Sequence, residues 1–275
     1  IYQKGRSEEV LGELVWGSRD DVIIATKAYY PTGDDVNAQG ASRRHLIRSV
    51  QESLRRLRTD RIDLLYLHHW DGRTALEETL RALGDLVRQG VVLYTGASNY
   101  AAWQVEKALG VSPARNYVSF KAVQPMYNLV KRQAEVEILP MSQAENLAVF
   151  PYSPTAGGLL TGKYGSTPQP GSGRITEWPL YEARYRGTFE IAERFANFAR
   201  ERGYEPTALA VAWVASHPGV TAPLIGARNV TQLEGSLKAL DIQMTPELRA
   251  EISALSPTPA PATDRSEESS GEGML

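Results

Sequence analysis

The feature that most constrains the fold is the alternation of short apolar runs with amphipathic segments along most of the chain. Six runs rich in Val, Ile, Leu and Tyr occupy residues 21–27, 62–68, 91–98, 120–127, 147–153 and 221–227. Their apolar residues are continuous rather than alternating, which is typical of parallel strands buried on both faces. Alternating strands and helices of this kind predict a parallel sheet, either in a barrel or in a doubly wound sheet.

Helix signals lie between these runs. Ser42 can cap a helix with apolar positions from Leu46 to Leu57, and Thr74 with Glu77 has the spacing of a capping box. Further helices are predicted near 8–17, 101–109, 131–145, 187–202, 207–217, 229–239 and 246–255. The helices supply the connections that parallel strands require.

Two segments interrupt the alternation. Residues 163–186 are rich in Pro and Gly and hold Trp178, Tyr181 and Tyr185, which predicts a long functional loop. Residues 256–275 are rich in Pro, Ser and Glu, which predicts a disordered tail. The chain is therefore predicted to form one domain over residues 1–255, followed by that tail.

Composition excludes several classes of partner and site. The 275 residues carry a formal net charge of -2, which provides no general positive field for nucleic acid or an anionic membrane. A small molecule is therefore the expected partner. The sequence contains no cysteine, which excludes disulfides and thiolate metal sites, and no metal site is predicted. No apolar run has the length of a membrane span, and the cytoplasm is the expected location.

Polar residues stand at or near the carboxyl ends of the predicted strands. They are Lys27, His68, Ser98, Asn99, Gln124, Tyr152, Ser153 and the segment from Gly226 to Arg228. The carboxyl ends of parallel strands lie on one face of a barrel or an open sheet, where both architectures place their sites. These residues are therefore predicted to converge.

Each of these residues also has a purely structural interpretation. Lys27 could be the first solvated residue after a strand, and His68 could be a hydrogen-bonded core histidine. Asn99 could be a turn residue or a helix cap. Because the structural interpretation must account for every strand end separately, the joint pattern favours a site.

The motifs together resemble a known family. The stretches "YQKGRSEEVLG", "IATK", "DLLYLHHWD", "GASN", "VQPMYN", "PYSPTAGGLLTGKY" and "PLIGARNVTQLEGSL" follow the order and spacing of the aldo-keto reductase family over about the first 255 residues. The stretch "SRRHLIRSVQESLRRLRTDRIDLLYLHHWD" resembles its aryl-alcohol dehydrogenase-like branch. The resemblance implies an α/β fold, the (β/α)8 TIM barrel, and an NADP(H)-dependent oxidoreductase that reduces aldehydes or ketones to alcohols.

The resemblance also implies catalytic residues. The family uses a tetrad of Asp, Tyr, Lys and His, in which Tyr2 matches the proton-donating tyrosine, Lys27 the lysine and His68 the histidine. A free phenol titrates near pH 10, so a cation beside it that favours the phenolate makes its proton easier to donate. A histidine in hydrogen-bond reach can orient the substrate carbonyl.

Cofactor residues are carried over in the same way. Ser98, Asn99 and Gln124 match the residues that hold the nicotinamide carboxamide, and Tyr152 matches the residue that stacks on the ring. The remaining matches are Ser153, Gly157 and Leu159 along the pyrophosphate, and Gly226, Arg228, Gln232 and Ser236 at the adenosine end. Arg228 suits a 2′-phosphate, which favours NADP(H). Ser236 and Thr155 depart from the family pattern, which more often has Asn and Leu there.

The start of the sequence departs further from the family. Two barrel strands, the helix between them and the tetrad aspartate have no counterpart before Ile1, so six predicted strands correspond to eight minus two. We expect an N-terminally incomplete barrel, interpreted as a fragment of a longer product rather than as a protein that has lost activity.

Two further hypotheses stay open. One is a non-catalytic NADP(H)-binding regulatory subunit, similar to potassium-channel β-subunits, and the other is an inactive truncated product. The substrate is expected to be a small carbonyl compound whose identity depends on loops, and the sequence leaves a homo-oligomer open.

Overall fold

The computed structural model describes residues 5–165 and 173–263, which form strands and helices in alternation. The strands are β1 (Ala25–Ala28), β2 (Ile62–Leu67), β3 (Val92–Ser98), β4 (Ala122–Gln124) and β5 (Ala148–Val149). The α-helices are α1 (Arg6–Leu14), α2 (Arg43–Leu57), α3 (Leu76–Arg88), α4 (Ala102–Arg115), α5 (Ile138–Ala144), α6 (Arg174–Glu177), α7 (Pro179–Tyr185), α8 (Phe189–Glu201), α9 (Pro206–Ala215), α10 (Val230–Leu237) and α11 (Pro246–Ser253). The predicted α/β class is confirmed.

The chain divides into two compact units. Unit 1 comprises Ile1–Gln124 and Asn146–Ala148, and unit 2 comprises Pro125–Glu145 and Val149–Leu275. The division falls within β5, so Ala148 belongs to the first unit and Val149 to the second. Whether residues 1–255 behave as one domain stays a prediction.

Unit 1 is built on a parallel sheet whose neighbouring strands are consecutive in the chain. β1 pairs with β2, β2 with β3 and β3 with β4, all in parallel. Helices α2, α3 and α4 each connect one strand to the next, as parallel pairing requires. All six residues of β2 are buried, which accounts for the continuous apolar pattern of its sequence.

The helices of unit 1 bury the faces that the sequence predicts. Leu46, Val50 and Leu57 of α2 are at most 1% exposed. The Ser42 hydroxyl accepts a hydrogen bond from the backbone N–H of His45, so the predicted cap is confirmed. Each buried leucine contributes about 1.5–3 kcal/mol relative to exposure, which makes this face a main support of the sheet.

Unit 2 has its core around α9, which is apolar on all sides. Leu209, Trp213 and Val214 are at most 1% exposed, and Phe195 of α8 is fully buried. Among the described residues no helix has the length and apolar character needed to cross a membrane. Residues 257–263 contain no helix or strand, and the rest of the predicted tail lies outside the described residues.

Three predicted boundaries are wrong. The first strand begins at Ala25 rather than residue 21, because Arg19–Asp21 forms a 3-10 turn and Ile23 is 83% exposed. The sixth predicted strand, residues 221–227, is reduced to a parallel bridge between Leu224 and Tyr152. The predicted 131–145 helix is divided into a 3-10 turn, Gln133–Glu135, and α5.

Two other local predictions are also corrected. The Thr74 capping box does not form, because the Thr74 hydroxyl donates to Asp71 Oδ2 at 2.7 Å and α3 begins after Ala75. The predicted loop 163–186 contains α6 and α7, so much of it is helical. Pro179 occupies the first turn of α7, where its missing N–H costs nothing, so this proline starts a helix instead of preventing one.

Candidate active site

The strand register of unit 1 places four predicted site residues on one face of the sheet. Lys27 is paired with Tyr66, and His68 follows Tyr66 by two residues. Ser98 is paired with Gln124. Leu67 is paired with Ala97, so the next residues along these two strands, His68 and Ser98, lie side by side. Because side chains alternate along a strand, Lys27, His68, Ser98 and Gln124 project to the same face.

Electrostatics connects Lys27 with His68. Burial lowers the pKa of His68 to about 4, and the positive charge of Lys27 acts in the same direction. Burial also lowers the pKa of Lys27 from its ordinary value. His68 is therefore a neutral imidazole at neutral pH, which can exchange hydrogen bonds without adding a charge. His69, the next residue along the chain, is exposed.

Hydrogen bonds fix the ends of β2, β3 and β4. Ser98 Oγ donates to the backbone oxygen of Gln124 at 2.9 Å, and Asn99 Nδ2 donates to the His68 backbone oxygen at 3.0 Å. Asn99 Nδ2 also lies 3.1 Å from Ser98 Oγ, and its φ is +56°. Asn tolerates this left-handed conformation better than most residues do. The bonds tie three adjacent strand ends together on the side of the site.

Sequence reasoning missed Tyr66, which is 1% exposed and shares the face of His68. Burial raises the pKa of Tyr66 above its ordinary value, and the Gln124 side chain beside its hydroxyl acts in the opposite direction. A Cβ atom on Gly96 would lie 2.7 Å from the Tyr66 ring and 2.7 Å from the backbone oxygen of Ala122. Gly96 therefore provides the space for Tyr66. The sequence signal that could have identified Tyr66 is its position two residues before His68, which puts both side chains on one face of the strand.

One aromatic ring contacts His68, and Trp70, two residues further along the chain, belongs to a separate aromatic cluster. The Tyr30 ring lies edge-on to His68 with centroids 4.8 Å apart. Trp70 makes edge contacts with Tyr100 at 5.3 Å and with Trp103 at 5.7 Å. Sequence reasoning missed Tyr30, because it follows the strand in a loop without a regular pattern. The Tyr30 ring limits the access of water to His68, in keeping with the direction of its pKa shift.

Tyr2, the predicted proton donor, lies outside the described residues. The described part of the chain begins at Gly5, which directly precedes α1 and has a φ of +95°. A Cβ on Gly5 would lie 2.7 Å from the Arg56 side chain, so two features favour glycine there. The catalytic assignment of Tyr2 stays a prediction.

Unit 2 contains a cleft of about 1050 Å³. Six predicted cofactor residues line it, namely Ser153, Gly157, Gly226, Arg228, Gln232 and Ser236. Leu159 is 1% exposed and is not among the lining residues. Tyr152 is half-buried and joins two parallel bridges, one to Met126 and one to Leu224. The cleft has the volume of a large small-molecule site.

A glycine turn forms one wall of this cleft. Gly157 and Gly158 have φ values of +67° and +97°, which favour glycine. A Cβ on Gly157 would also lie 3.0 Å from the Tyr181 ring. Backbone amides at a turn without side chains can approach a phosphate closely. The turn therefore fits its predicted place along a pyrophosphate.

The start of α10 also lines the cleft. Asn229 caps this helix by accepting from the N–H of Gln232 at 2.9 Å, and Gln232 Oε1 accepts from the N–H of Arg228 at 3.0 Å. The Arg228 side chain is exposed on the cleft. Ser236 is 6% exposed, and its hydroxyl donates to the backbone oxygen of Gln232 at 3.2 Å.

The charge balance of the cleft fits a polyanion. Its cationic lining residues are Lys163, Arg174, Arg228 and Lys238, against the carboxylates of Glu205 and Glu234. Sequence reasoning missed three of these cations because they lie outside the strand-end pattern. With the glycine turn, this donor set suits the phosphates of a dinucleotide. No cluster of three or more His, Cys, Asp or Glu residues capable of holding a metal occurs within residues 5–165 and 173–263.

Comparison with known proteins identifies the family. The model of the "Aldo/keto reductase family" matches residues 1–257. A probable voltage-gated potassium channel subunit beta of Oryza sativa is 34% identical over 93% of this chain and 80% of its own length. An uncharacterized oxidoreductase of Bacillus subtilis is 35% identical over 94% of this chain and 80% of its own length. A probable aryl-alcohol dehydrogenase of Saccharomyces cerevisiae is 34% identical, covering 90% and 78%. The chain belongs to the aldo/keto reductase family of oxidoreductases.

Proposed function

We propose that the protein is an NADP(H)-dependent reductase that converts aldehydes or ketones to alcohols. The single observation that carries the proposal is the placement of Lys27, His68, Ser98 and Gln124 on one face at the carboxyl ends of successive parallel strands. Family membership supports it, and the yeast relative is named as an aryl-alcohol dehydrogenase. Aromatic aldehydes are therefore the first substrates to test.

The chain's own residues have distinct roles in this proposal. Tyr2 donates a proton to the carbonyl oxygen of the substrate, and the Lys27 cation makes the phenol easier to ionise. The neutral imidazole of His68 hydrogen-bonds to the same carbonyl and orients it. The Tyr30 ring beside His68 reduces its contact with water, which strengthens these electrostatic interactions.

The cofactor residues are assigned within each unit. In unit 1, Ser98, Asn99 and Gln124 are the proposed contacts of the nicotinamide carboxamide. In unit 2, the proposed contacts are Tyr152 for the ring, Ser153, Gly157 and Leu159 for the pyrophosphate, and Gly226, Arg228, Gln232 and Ser236 for the adenosine end. When bound, NADPH supplies the hydride. The exposed Arg228 guanidinium is the proposed partner of the 2′-phosphate.

A second candidate is a non-catalytic NADP(H)-binding regulatory subunit. The observation that favours it is the similarity to proteins of Oryza sativa and Arabidopsis thaliana that are named as probable potassium channel β-subunits, both 34% identical. Such a protein would retain the unit 2 cleft and bind NADPH without appreciable turnover.

The test combines cofactor binding with turnover. The purified chain should bind NADPH saturably and oxidise it when aromatic aldehydes are added. Tyr2→Phe should abolish most of the reduction and leave the affinity for NADPH nearly unchanged, because only the acidic hydroxyl is removed. Equal turnover by this variant would exclude Tyr2 as the proton donor. Tight NADPH binding without turnover by the unaltered chain would favour the regulatory subunit.

A further inference from the structure

A buried polar network in unit 2 is centred on the Tyr127 hydroxyl. Tyr127 is fully buried, and its hydroxyl lies 2.6 Å from Glu135 Oε1 and 3.0 Å from Arg249 Nη2. A hydroxyl donates one hydrogen bond and accepts others, so it donates to the carboxylate and accepts from the guanidinium. The hydroxyl is thus held by two elements: α11, which carries Arg249, and the 3-10 turn Gln133–Glu135.

The charged groups of the network are themselves held. Arg132 makes three hydrogen bonds to Glu135, at 2.8, 3.0 and 3.2 Å. Although burial acts in the opposite direction, Arg132 and Tyr127 hold the pKa of Glu135 below its ordinary value. Arg249 also contacts the Trp213 backbone oxygen and lies over the Trp213 ring at 4.8 Å. The hydroxyl therefore occupies a fixed point between two anchored ions.

The backbone around Tyr127 is attached to the proposed nicotinamide end of the cofactor site. Tyr152 donates its N–H to the Pro125 oxygen at 2.9 Å, and the Tyr127 N–H points to the Tyr152 oxygen at 3.4 Å. Asn128 Nδ2 donates to the Ser153 oxygen at 2.9 Å. Ser153 has a φ of +59°, a strained conformation for serine that the surrounding contacts must maintain.

We propose that Tyr127, held by Arg249 and Glu135, is a positioning residue that sets the orientation of Tyr152 for the nicotinamide ring and of Ser153 for the neighbouring pyrophosphate. The inference rests on the proposed function for the identity of the ligand. It extends that function by making α11, a helix that contributes no residue to the cleft, a determinant of nicotinamide binding.

The decisive variant is Tyr127→Phe, which removes the hydroxyl and keeps the ring. We expect its dissociation constant for NADPH to rise by about 2- to 30-fold, the range of coupling through a connected network. The dissociation constant for 2′,5′-ADP, which lacks the nicotinamide, should stay within experimental error. Titration calorimetry with both ligands measures the two effects. An equal loss of affinity for both ligands would mean general destabilisation and would overturn the inference.

Two further variants separate positioning from the anchoring of α11. Arg249→Met should reproduce the selective loss of NADPH affinity. Glu251→Gln removes another ion pair of the same helix, the exposed contact with Arg202, and should leave both affinities unchanged. If Glu251→Gln has the same effect as Arg249→Met, anchoring alone explains the network and the inference is wrong.

Amide hydrogen exchange gives a test that does not depend on the cofactor. In Tyr127→Phe, the Tyr152 amide should exchange faster than in the unaltered protein, while amides in α8 should not change. Unchanged exchange at Tyr152 would overturn the inference. If the unaltered protein binds neither NADPH nor 2′,5′-ADP, the proposed function fails, and the exchange rates alone then decide whether Tyr127 positions Tyr152.

Discussion

In unit 1 the polar residues stand on adjacent strands and are fixed by the register of the sheet, whereas in unit 2 they stand on loops and helix ends around an open cleft. Lys27 and His68 are partly buried, and burial shifts the pKa of both. Arg228 and Gln232 are exposed. Burial changes the acid–base properties that chemistry requires, while exposed charges suit an anionic ligand that arrives from water. We therefore expect changes in unit 1 to affect turnover and stability, and changes in unit 2 to affect binding.

The largest effect should come from Lys27→Met, which removes the cation and nearly preserves the length of the side chain. We expect turnover with NADPH and an aromatic aldehyde to fall by about 10²- to 10⁴-fold, because the proton donor loses its activating charge. The dissociation constant for NADPH should change much less. Lys121→Met, at an exposed position just before β4, is the control and should retain full turnover. A large loss of NADPH affinity without loss of turnover would contradict the comparison.

Gly96→Ala tests whether unit 1 depends on close packing of its strands. The new methyl group would meet the Ala122 backbone oxygen and the Tyr66 ring, each at 2.7 Å, so we expect a loss of about 1–3 kcal/mol in the free energy of unfolding. Urea denaturation measures it. Gly110→Ala in α4 is the matched control, since nothing lies within 4 Å of its added Cβ. That change should stabilise by about 0.5–1 kcal/mol.

The next effect is the pH dependence of stability that His68 contributes. Its pKa is about 4 in the folded protein and 6.5 without the shift, so between these values the unfolded chain binds more protons. The contribution is complete above pH 6.5 and is lost as the pH falls toward 4, by at most about 1.4 kcal/mol per pH unit.

Comparison with His68→Gln isolates this contribution, because burial also lowers the pKa of His45 and His217 in both proteins. The variant should lose less stability than the unaltered protein between pH 7 and pH 5, as measured by urea denaturation at each pH. The same replacement at the exposed His69 controls for the loss of an imidazole. Identical pH profiles for the His68 variant and the unaltered protein would refute the prediction.

The smallest effect should be that of Arg228→Gln in the unit 2 cleft. We expect the dissociation constant for NADPH to rise about tenfold. This corresponds to about 1.4 kcal/mol, near the lower end of the free energies that hydrogen bonds to charged groups contribute, because the side chain is exposed. The constant for NADH should stay nearly unchanged, since it lacks the 2′-phosphate. Arg186→Gln, another exposed arginine of unit 2, is the control. Parallel losses for both cofactors would exclude the 2′-phosphate assignment.

The two units also differ in how well the sequence predicts them. The strands of unit 1 are predicted to within a few residues, because burial on both faces makes them apolar throughout, as β2 is. The ends of those strands locate Lys27, His68, Ser98 and Gln124. Tyr66 was missed because a tyrosine in an apolar run resembles an ordinary core residue, and only its spacing from His68 distinguishes it.

The cleft of unit 2 is predicted less completely. Gly226, Arg228 and Gln232 follow from a family motif, but Lys163 and Arg174 lie in the segment predicted as a loop. Part of that segment is helical because Pro179 starts α7, whereas its Pro and Gly content suggested the opposite. Tyr127 and Arg249 are more than 120 residues apart in the chain, and no local pattern could pair them.

The consecutive order of the strands in unit 1 has a consequence for how the protein is made. Each new strand can join the edge left by the previous one, so the sheet can grow in the direction of synthesis. Lys27, His68, Ser98 and Gln124 arrive on four successive strands. A nascent chain that ends before β4 can therefore hold most of the unit 1 sheet while its set of strand-end residues is still incomplete.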